Sequence, residues 1–149
     1  GTSSQRSWIS PILSGTDRTW KFAFGHHPYI SNGQHGNAGT YEGLSSIPIF
    51  SGGTVKTFFD SYICGSVDVY FSGHDHNRQW LNPACGTEFI VSGAAAKTTD
   101  FAHHFGGSPV FWEDDTAEGF IWVEVRGSTL VGEFYDKNAT LQYTQTLTK

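Results

Sequence analysis

Apolar positions recur first at helical spacing, then in strand-like runs, and in the last third of the chain they alternate strand by strand. Trp8, Ile9, Ile12 and Leu13 share one helical face behind a Ser-rich start, which predicts a short helix over residues 4–13, although Pro11 lies inside it. Residues 19–24 are rich in strand formers and stop at Gly25, the pattern of a buried strand. From Gly25 to Gly53 the chain carries seven glycines together with Pro28 and Pro48. Such a stretch is too long for a connector and predicts a functional loop with a short helical turn. Val55, Phe58, Phe59 and Tyr62 then fall on one face of a helix over 54–64, and residues 67–71 make the next strand, ending at Ser72-Gly73. Strand, crossover and strand predict parallel pairing.

After this the pattern changes. Residues 87–91, 119–126, 129–135 and 140–147 are four further strand candidates, the last three in an antiparallel meander. The polar stretch 97–118 predicts irregular structure, with Trp112, Glu113, Asp114 and Asp115 as a solvated loop. The fold class is α/β, with parallel-type strands followed by an antiparallel meander.

Composition adds limits rather than detail. Of 149 residues, 38% are hydrophobic and 15% aromatic, enough for the core of one domain spanning 1–149. The formal charge of −5, without a basic run, argues against nucleic acid or an anionic membrane as the main partner. No apolar stretch approaches the roughly 18 residues that a membrane span needs. Cys64 and Cys85 form no metal motif. Their even count predicts one disulfide, closing a loop of about 20 residues in an oxidising, non-cytosolic compartment, with two free thiols as the alternative.

The chemistry concentrates in histidines. The first parallel-type strand delivers Gly25-His26-His27-Pro28 and, nine residues past His26, His35. The second delivers Gly73-His74-Asp75-His76-Asn77. Ligand sites in open α/β sheets lie at the carboxyl ends of strands, and neutral imidazole is a common metal ligand, so two such clusters predict a metal site.

Phe24-Gly25-His26-His27-Pro28-Tyr29 with Phe71-Ser72-Gly73-His74-Asp75-His76-Asn77 resembles the last two motifs of the calcineurin-like metallophosphoesterases. The position of His35, Asn77 with an aromatic soon after it, and Phe89-Ile90-Val91-Ser92-Gly93-Ala94 narrow the resemblance to the purple, tartrate-resistant acid phosphatases. The resemblance implies a four-layer α/β/β/α sandwich with two metal ions, Fe(III) and a divalent ion (Fe, Zn or Mn). It implies His26 and His74 as ligands of the divalent ion, His76 as a ligand of Fe(III), and His35 as the substrate-side residue that contacts the phosphate and assists the leaving group. His27 reads as packing beside the ligands and Asp75 as a turn residue. The implied reaction is hydrolysis of phosphate monoesters. A phosphodiesterase on the same scaffold, or a binding module that keeps the fold, are the alternatives.

The family's Asp, Tyr and Gly-Asn-His blocks have no counterpart before His26, so the chain resembles the carboxy-terminal half of such an enzyme. Two cations roughly 3.5–4 Å apart need a bridging anion that three histidines do not supply. The apolar faces Trp20, Phe22, Phe24 and Val67, Val69, Phe71 also need neighbours on both sides. The expectation is therefore an amino-terminal half, as a companion chain or segment, and a small phosphate-ester substrate. Three weaker signals remain. His103-His104 reads as loop packing, Ser51-Gly52-Gly53-Thr54 as a helix N-cap, and Asn138-Ala139-Thr140 as a possible glycosylation sequon.

Overall fold

Eight strands in two sheets make up the computed structural model, which describes residues 3–44 and 50–149. Helix α1 (Ser3–Gly15) runs straight through Pro11 and is longer at both ends than its apolar face predicted. Strand β1 (Phe22–Phe24) is shorter than the predicted run. The glycine-rich loop follows, with a 3-10 turn at Tyr41–Gly43. Residues 45–49, Pro48 among them, lie outside the described residues. Helix α2 (Gly53–Phe58) passes directly into a π-helical turn, Phe59–Ile63, so the predicted helix 54–64 is one rod of two pitches. The N-cap lies in the Ser51-Gly52-Gly53-Thr54 stretch read as one, and it is Gly52, without a side-chain hydrogen bond: Gly52 takes the left-handed turn (φ 75°) that swings the chain into the helix.

The first sheet has the order β1-β2-β4-β3-β5, with β2 at Val69–Ser72, β3 at Arg78–Leu81, β4 at Glu88–Ser92 and β5 at Val110–Asp114. β1, β2 and β4 run parallel, one strand more than the sequence suggested, while β3 pairs antiparallel with both β4 and β5. The second sheet is the expected meander of β6 (Gly119–Arg126), β7 (Thr129–Asp136) and β8 (Leu141–Thr148).

Alternation along the first sheet sends neighbouring side chains to opposite cores. Tyr70, Leu81, Phe89 and Val91 meet Phe59 and Ile63 of the helical rod, with Ile9 and Leu13 of α1 against them. Val69, Trp80 and Ile90 face the other way and meet Leu130 and Phe134 of the second sheet. Helices, sheet and sheet thus form three successive layers of the expected α/β sandwich. On the far side of the second sheet, Phe120 and Trp122 are half exposed.

β3 and β5 correct the sequence reading. Arg78, Gln79, Trp80 and Leu81 are all fully buried, and β5 lies in the stretch expected to be irregular. The acidic residues of that stretch are partners rather than a solvated loop. The Arg78 guanidinium, completely buried, donates to Asp114 at 2.5 Å and to the Tyr135 carbonyl at 2.9 Å, and lies 5.4 Å from the Trp112 ring. A buried charge is tolerable only when paired, and this pair also ties β3 and β5 to β7. Trp112 stacks on Tyr143 of β8 at 5.5 Å.

One side of both sheets is open. β1 is an edge strand with Phe24 76% exposed, and a gap of about 550 Å³ lies between Phe22, Phe24 and Phe71 on the first sheet and Ile121, Val123 and Val125 on the second.

Cys64 and Cys85 are joined, as expected, across a sequence separation of 21. Replacing both by Ser should lower the unfolding free energy by about 3 kcal/mol on the loop-entropy account, read by urea denaturation against the oxidised protein. Burial pushes the Asp114 carboxyl up, but hydrogen bonds from Thr116, Arg78 and the Ala117 amide, with the Arg78 charge, hold it below its ordinary 3.8. Its stabilisation is therefore full above about that pH and lost as pH falls through the lower folded value. Asp114→Asn should be less stable than wild type near neutrality, and the two curves should converge as pH falls below the lowered folded value, as followed by acid titration of the unfolding midpoint.

Candidate metal centre

Two strand ends build the site. Beyond β1 and β2 the parallel ladder continues, with the Gly25 amide donating to the Phe71 carbonyl at 3.0 Å and the Gly73 amide donating to the His26 carbonyl at 3.2 Å. The turns after both strands are therefore held side by side. A Cβ on Gly25 would stand 2.1 Å from the Tyr70 hydroxyl, which needs that space to donate to the His27 carbonyl at 2.9 Å. Tyr41 fixes the next residue, donating to the Pro28 carbonyl at 2.5 Å.

The result is convergence. His26 Nε2 lies 2.8 Å from His74 Nδ1, and donor atoms of His26, His27 and His74 all fall within 4.8 Å of one another. His74 occupies the left-handed region (φ 66°), unusual for a residue with a Cβ. Burial, then the neighbouring His35, His27 and His26, push its imidazole down to about 4, so near neutral pH it is uncharged with a lone pair free. His27 is pushed down too, by burial first and then by His26 and His35.

His35 arrives from the loop. Asp75, 1% exposed, accepts the His35 backbone amide at 2.8 Å and the Ser31 hydroxyl at 2.5 Å. The His35 ring lies against His74 with centroids 3.8 Å apart, and its Nδ1 contacts the Glu42 carboxylate. Four of the five strand-end histidines thus form one cluster, His26, His27 and His35 each meeting His74. His76 lies outside the group of three and bonds through its carbonyl to the Thr99 amide at 2.9 Å. His27 stands among the donors, closer than its packing role suggested. Glu42 carried no signal in the sequence, since nothing in its spacing marks it. The second pair packs into loops as expected: His103 meets Glu113 at 2.8 Å, and His104 Nε2 donates to the Gln34 carbonyl at 2.7 Å.

Three converging imidazoles, two of them exposed and one held neutral, suit a single transition-metal ion with open coordination positions. They do not suit two, because the cluster formed by the described residues contains no carboxylate to bridge them, and Asp75 is committed to the loop.

No family model matches the chain. Serine/threonine-protein phosphatase UIS2 of Plasmodium berghei is 36% identical over 80 residues, 52% of this chain and 5% of the relative. Tartrate-resistant acid phosphatase type 5 of Sus scrofa is 26% identical over 128 residues, 82% of this chain. The structure of purple acid phosphatase PPD1 from yellow lupin seeds superposes with a TM-score of 0.71 over 98% of this chain at 20% identity. This chain is similar to the purple acid phosphatases. It spans 34% of the pig relative's length and 28% of the lupin chain. The likeness to the purple acid phosphatases over nearly the whole chain agrees with the motifs at His26 and His74, and the lupin structure has the same fold.

Asp75→Ala would leave the Ser31 hydroxyl and the His35 amide without their acceptor, at a cost of about 1–3 kcal/mol for each buried donor left unpaired. Amide exchange at His35 should accelerate in this variant by more than at the distant β7–β8 ladder. Equal protection of His35 in both proteins would contradict the anchoring role.

Proposed function

We propose that this chain carries the imidazole ligands and the phosphate-facing residue of a metal-dependent acid phosphatase that hydrolyses phosphate monoesters. The observation that carries the reading is the meeting of His26, His74 and His35 at the ends of β1 and β2 in a chain similar to tartrate-resistant acid phosphatases. In this reading His26 and His74 hold a divalent ion and His76 belongs to Fe(III). The remaining donors, a bridging Asp, an Asn and a Tyr, come from an amino-terminal half of the same domain. The all-imidazole cluster and the open apolar edge at Phe22, Phe24, Ile121 and Val123 support that companion, since one added segment would supply both strands and oxygen donors.

When bound, such ions polarise phosphoryl oxygens and lower the pKa of water. His74, kept uncharged, offers its lone pair without first losing a proton. His35, outside the closest donor group yet in contact with it, donates to a phosphate oxygen and delivers a proton to the departing alkoxide. The nine-residue spacing from His26 to His35 favours a monoesterase over a diesterase. A non-cytosolic compartment is supported by the disulfide, and the exposed Asn138 sequon at the β7–β8 turn is a candidate for glycosylation there.

The test separates ligand from acid. In the whole protein with its companion segment, His74→Ala should lose at least one equivalent of bound metal by elemental analysis, and turnover with it. His35→Ala should keep the metal and lose about 10²–10⁴-fold in kcat on p-nitrophenyl phosphate and other monoesters. Full metal retention in His74→Ala, or full turnover in His35→Ala, would sink the respective assignment.

A further inference from the structure

His35 is not held by its own loop alone. Its ring is in contact with Glu42, a residue that sits in an unusual place for a glutamate. Glu42 adopts φ 57° and ψ 21° inside the 3-10 turn Tyr41–Gly43, in the left-handed region where a Cβ is disfavoured. Non-glycine residues stay there only when their surroundings enforce it. Those surroundings are visible. The Glu42 amide donates to the His35 carbonyl at 2.9 Å, so backbone and side chain of Glu42 both grip the same residue. On one flank Tyr41 is buried, bonded through its hydroxyl to Pro28 and through its amide to the Ser51 carbonyl at 3.1 Å. On the other, the Gly43 amide closes onto the Thr40 carbonyl at 3.0 Å.

The pair is too exposed to matter much as a salt bridge, with side chains 34% and 50% accessible. Its effect is directional. An ionised carboxylate can only accept, so His35 Nδ1 must carry the hydrogen in that contact. The other nitrogen, Nε2, is thereby the one left to face a ligand, and the ring cannot turn over without losing the contact. Meanwhile the opposite end of the residue is pinned through its amide to Asp75. Tautomer, ring orientation and backbone are then all fixed beside His74.

We propose that Glu42 is a positioning residue that keeps the Nδ1–H of His35 on the carboxylate, so that Nε2 is the nitrogen turned to the phosphate group and the one that takes up and hands over the proton delivered to the leaving group. This rests on the phosphatase reading for its consequence, but the lock itself is a property of these two residues.

The experiment compares Glu42→Ala, Glu42→Gln and Glu42→Asp in the whole protein, metal-free and zinc-loaded, by imidazole ¹⁵N spectra, bound zinc, and kcat and KM on p-nitrophenyl phosphate. In Glu42→Ala the His35 nitrogens should shift from the Nδ1–H form to a tautomer mixture. Bound zinc should stay unchanged, KM should stay within about threefold, and kcat should fall about 10–100-fold, the usual size of an effect through an orienting partner. Glu42→Gln keeps an acceptor oxygen at the same reach and should restore both the spectrum and most of kcat, whereas Glu42→Asp, one methylene short, should not. On a His35→Ala background, Glu42→Ala should cost nothing further. Unshifted His35 nitrogens, the same fold-loss on the His35→Ala background, or loss of zinc (which would make Glu42 a ligand) would each overturn the proposal. A protein without phosphatase turnover but with the tautomer shift would overturn the phosphatase reading and leave the positioning of His35 by Glu42 standing.

Discussion

The Asp75 carboxylate is the constraint on which the site depends. It lies between two candidate ligands in the turn after β2, yet it is 1% exposed and faces inward, toward a loop more than thirty residues earlier in sequence. By accepting from Ser31 and from the His35 amide it fastens that loop over the strand ends. The fit leaves no slack: a Cβ on Gly33 would stand 2.2 Å from the Asp75 carboxyl carbon, and one on Gly93 would stand 1.9 Å from the Asp75 carbonyl oxygen. The glycines of two distant segments are therefore there for clearance around one aspartate. Gln79 extends the same network, donating to Ser31 and Asn77 and accepting from the Asn32 amide. Buried polar networks are costly where a member goes unpaired, as Asn77 Nδ2 does here, while the bonds that are made confer a defined geometry. Here the geometry conferred is the approach of His35 to His74.

Charge sets the other limit. Imidazoles brought this close cannot all be protonated, and the structure resolves the conflict by burying His74 until it is neutral. The same crowding makes the cluster a better host for a metal cation than for protons, because one ion replaces several mutually repelling charges. It equally means that a second cation would have no compensating anion among these residues. The packing tells the same story from the opposite direction. Among the described residues β1 has a neighbour on one side only, with Phe24 left open at the strand that delivers His26. Oxygen donors and strand neighbours are lacking in the same place, which is why the proposed function assigns both to one companion segment.

Much of this was legible in the sequence, and the pattern of what was not is physical. The helices, the first two parallel strands and the meander follow from local periodicity, and the histidine motifs from strand ends followed by glycine. β3 was hidden because all four of its residues are buried, so it has no alternation, and two of them are the polar Arg78 and Gln79. β5 was hidden by its acids, which look solvated until Arg78 and Asn32 are found facing them. A buried Arg announces its partner only in three dimensions. Glu42 was invisible for a related reason, since its value lies in a contact across a turn whose shape no propensity predicts. His27, read as packing beside the ligands, shares with His26 a ring contact to His74, a convergence that sequence spacing alone does not show.

Backbone strain gives an independent indication of where the molecule is specialised. Among the described residues, six without the freedom of glycine sit at positive φ: Glu42, His74, Cys85, His103, Phe105 and Ala139. Cys85 is held by the disulfide and Ala139 by a hairpin turn, which are ordinary structural reasons. The other four belong to the strand-end cluster and the two loops that close around it, with His104 bridging those loops through the Gln34 carbonyl. Each such residue costs on the order of 1–3 kcal/mol, comparable to a sizeable part of a domain's net stability when summed. Strain of this size persists only where the surroundings over-determine it; at Glu42 these are buried Tyr41 and the His35 carbonyl, and at His74 the contacts with His26 and His35. At Glu42 and His74 the strained backbone presents side chains of the strand-end cluster and its flank, so strain and candidate chemistry coincide there.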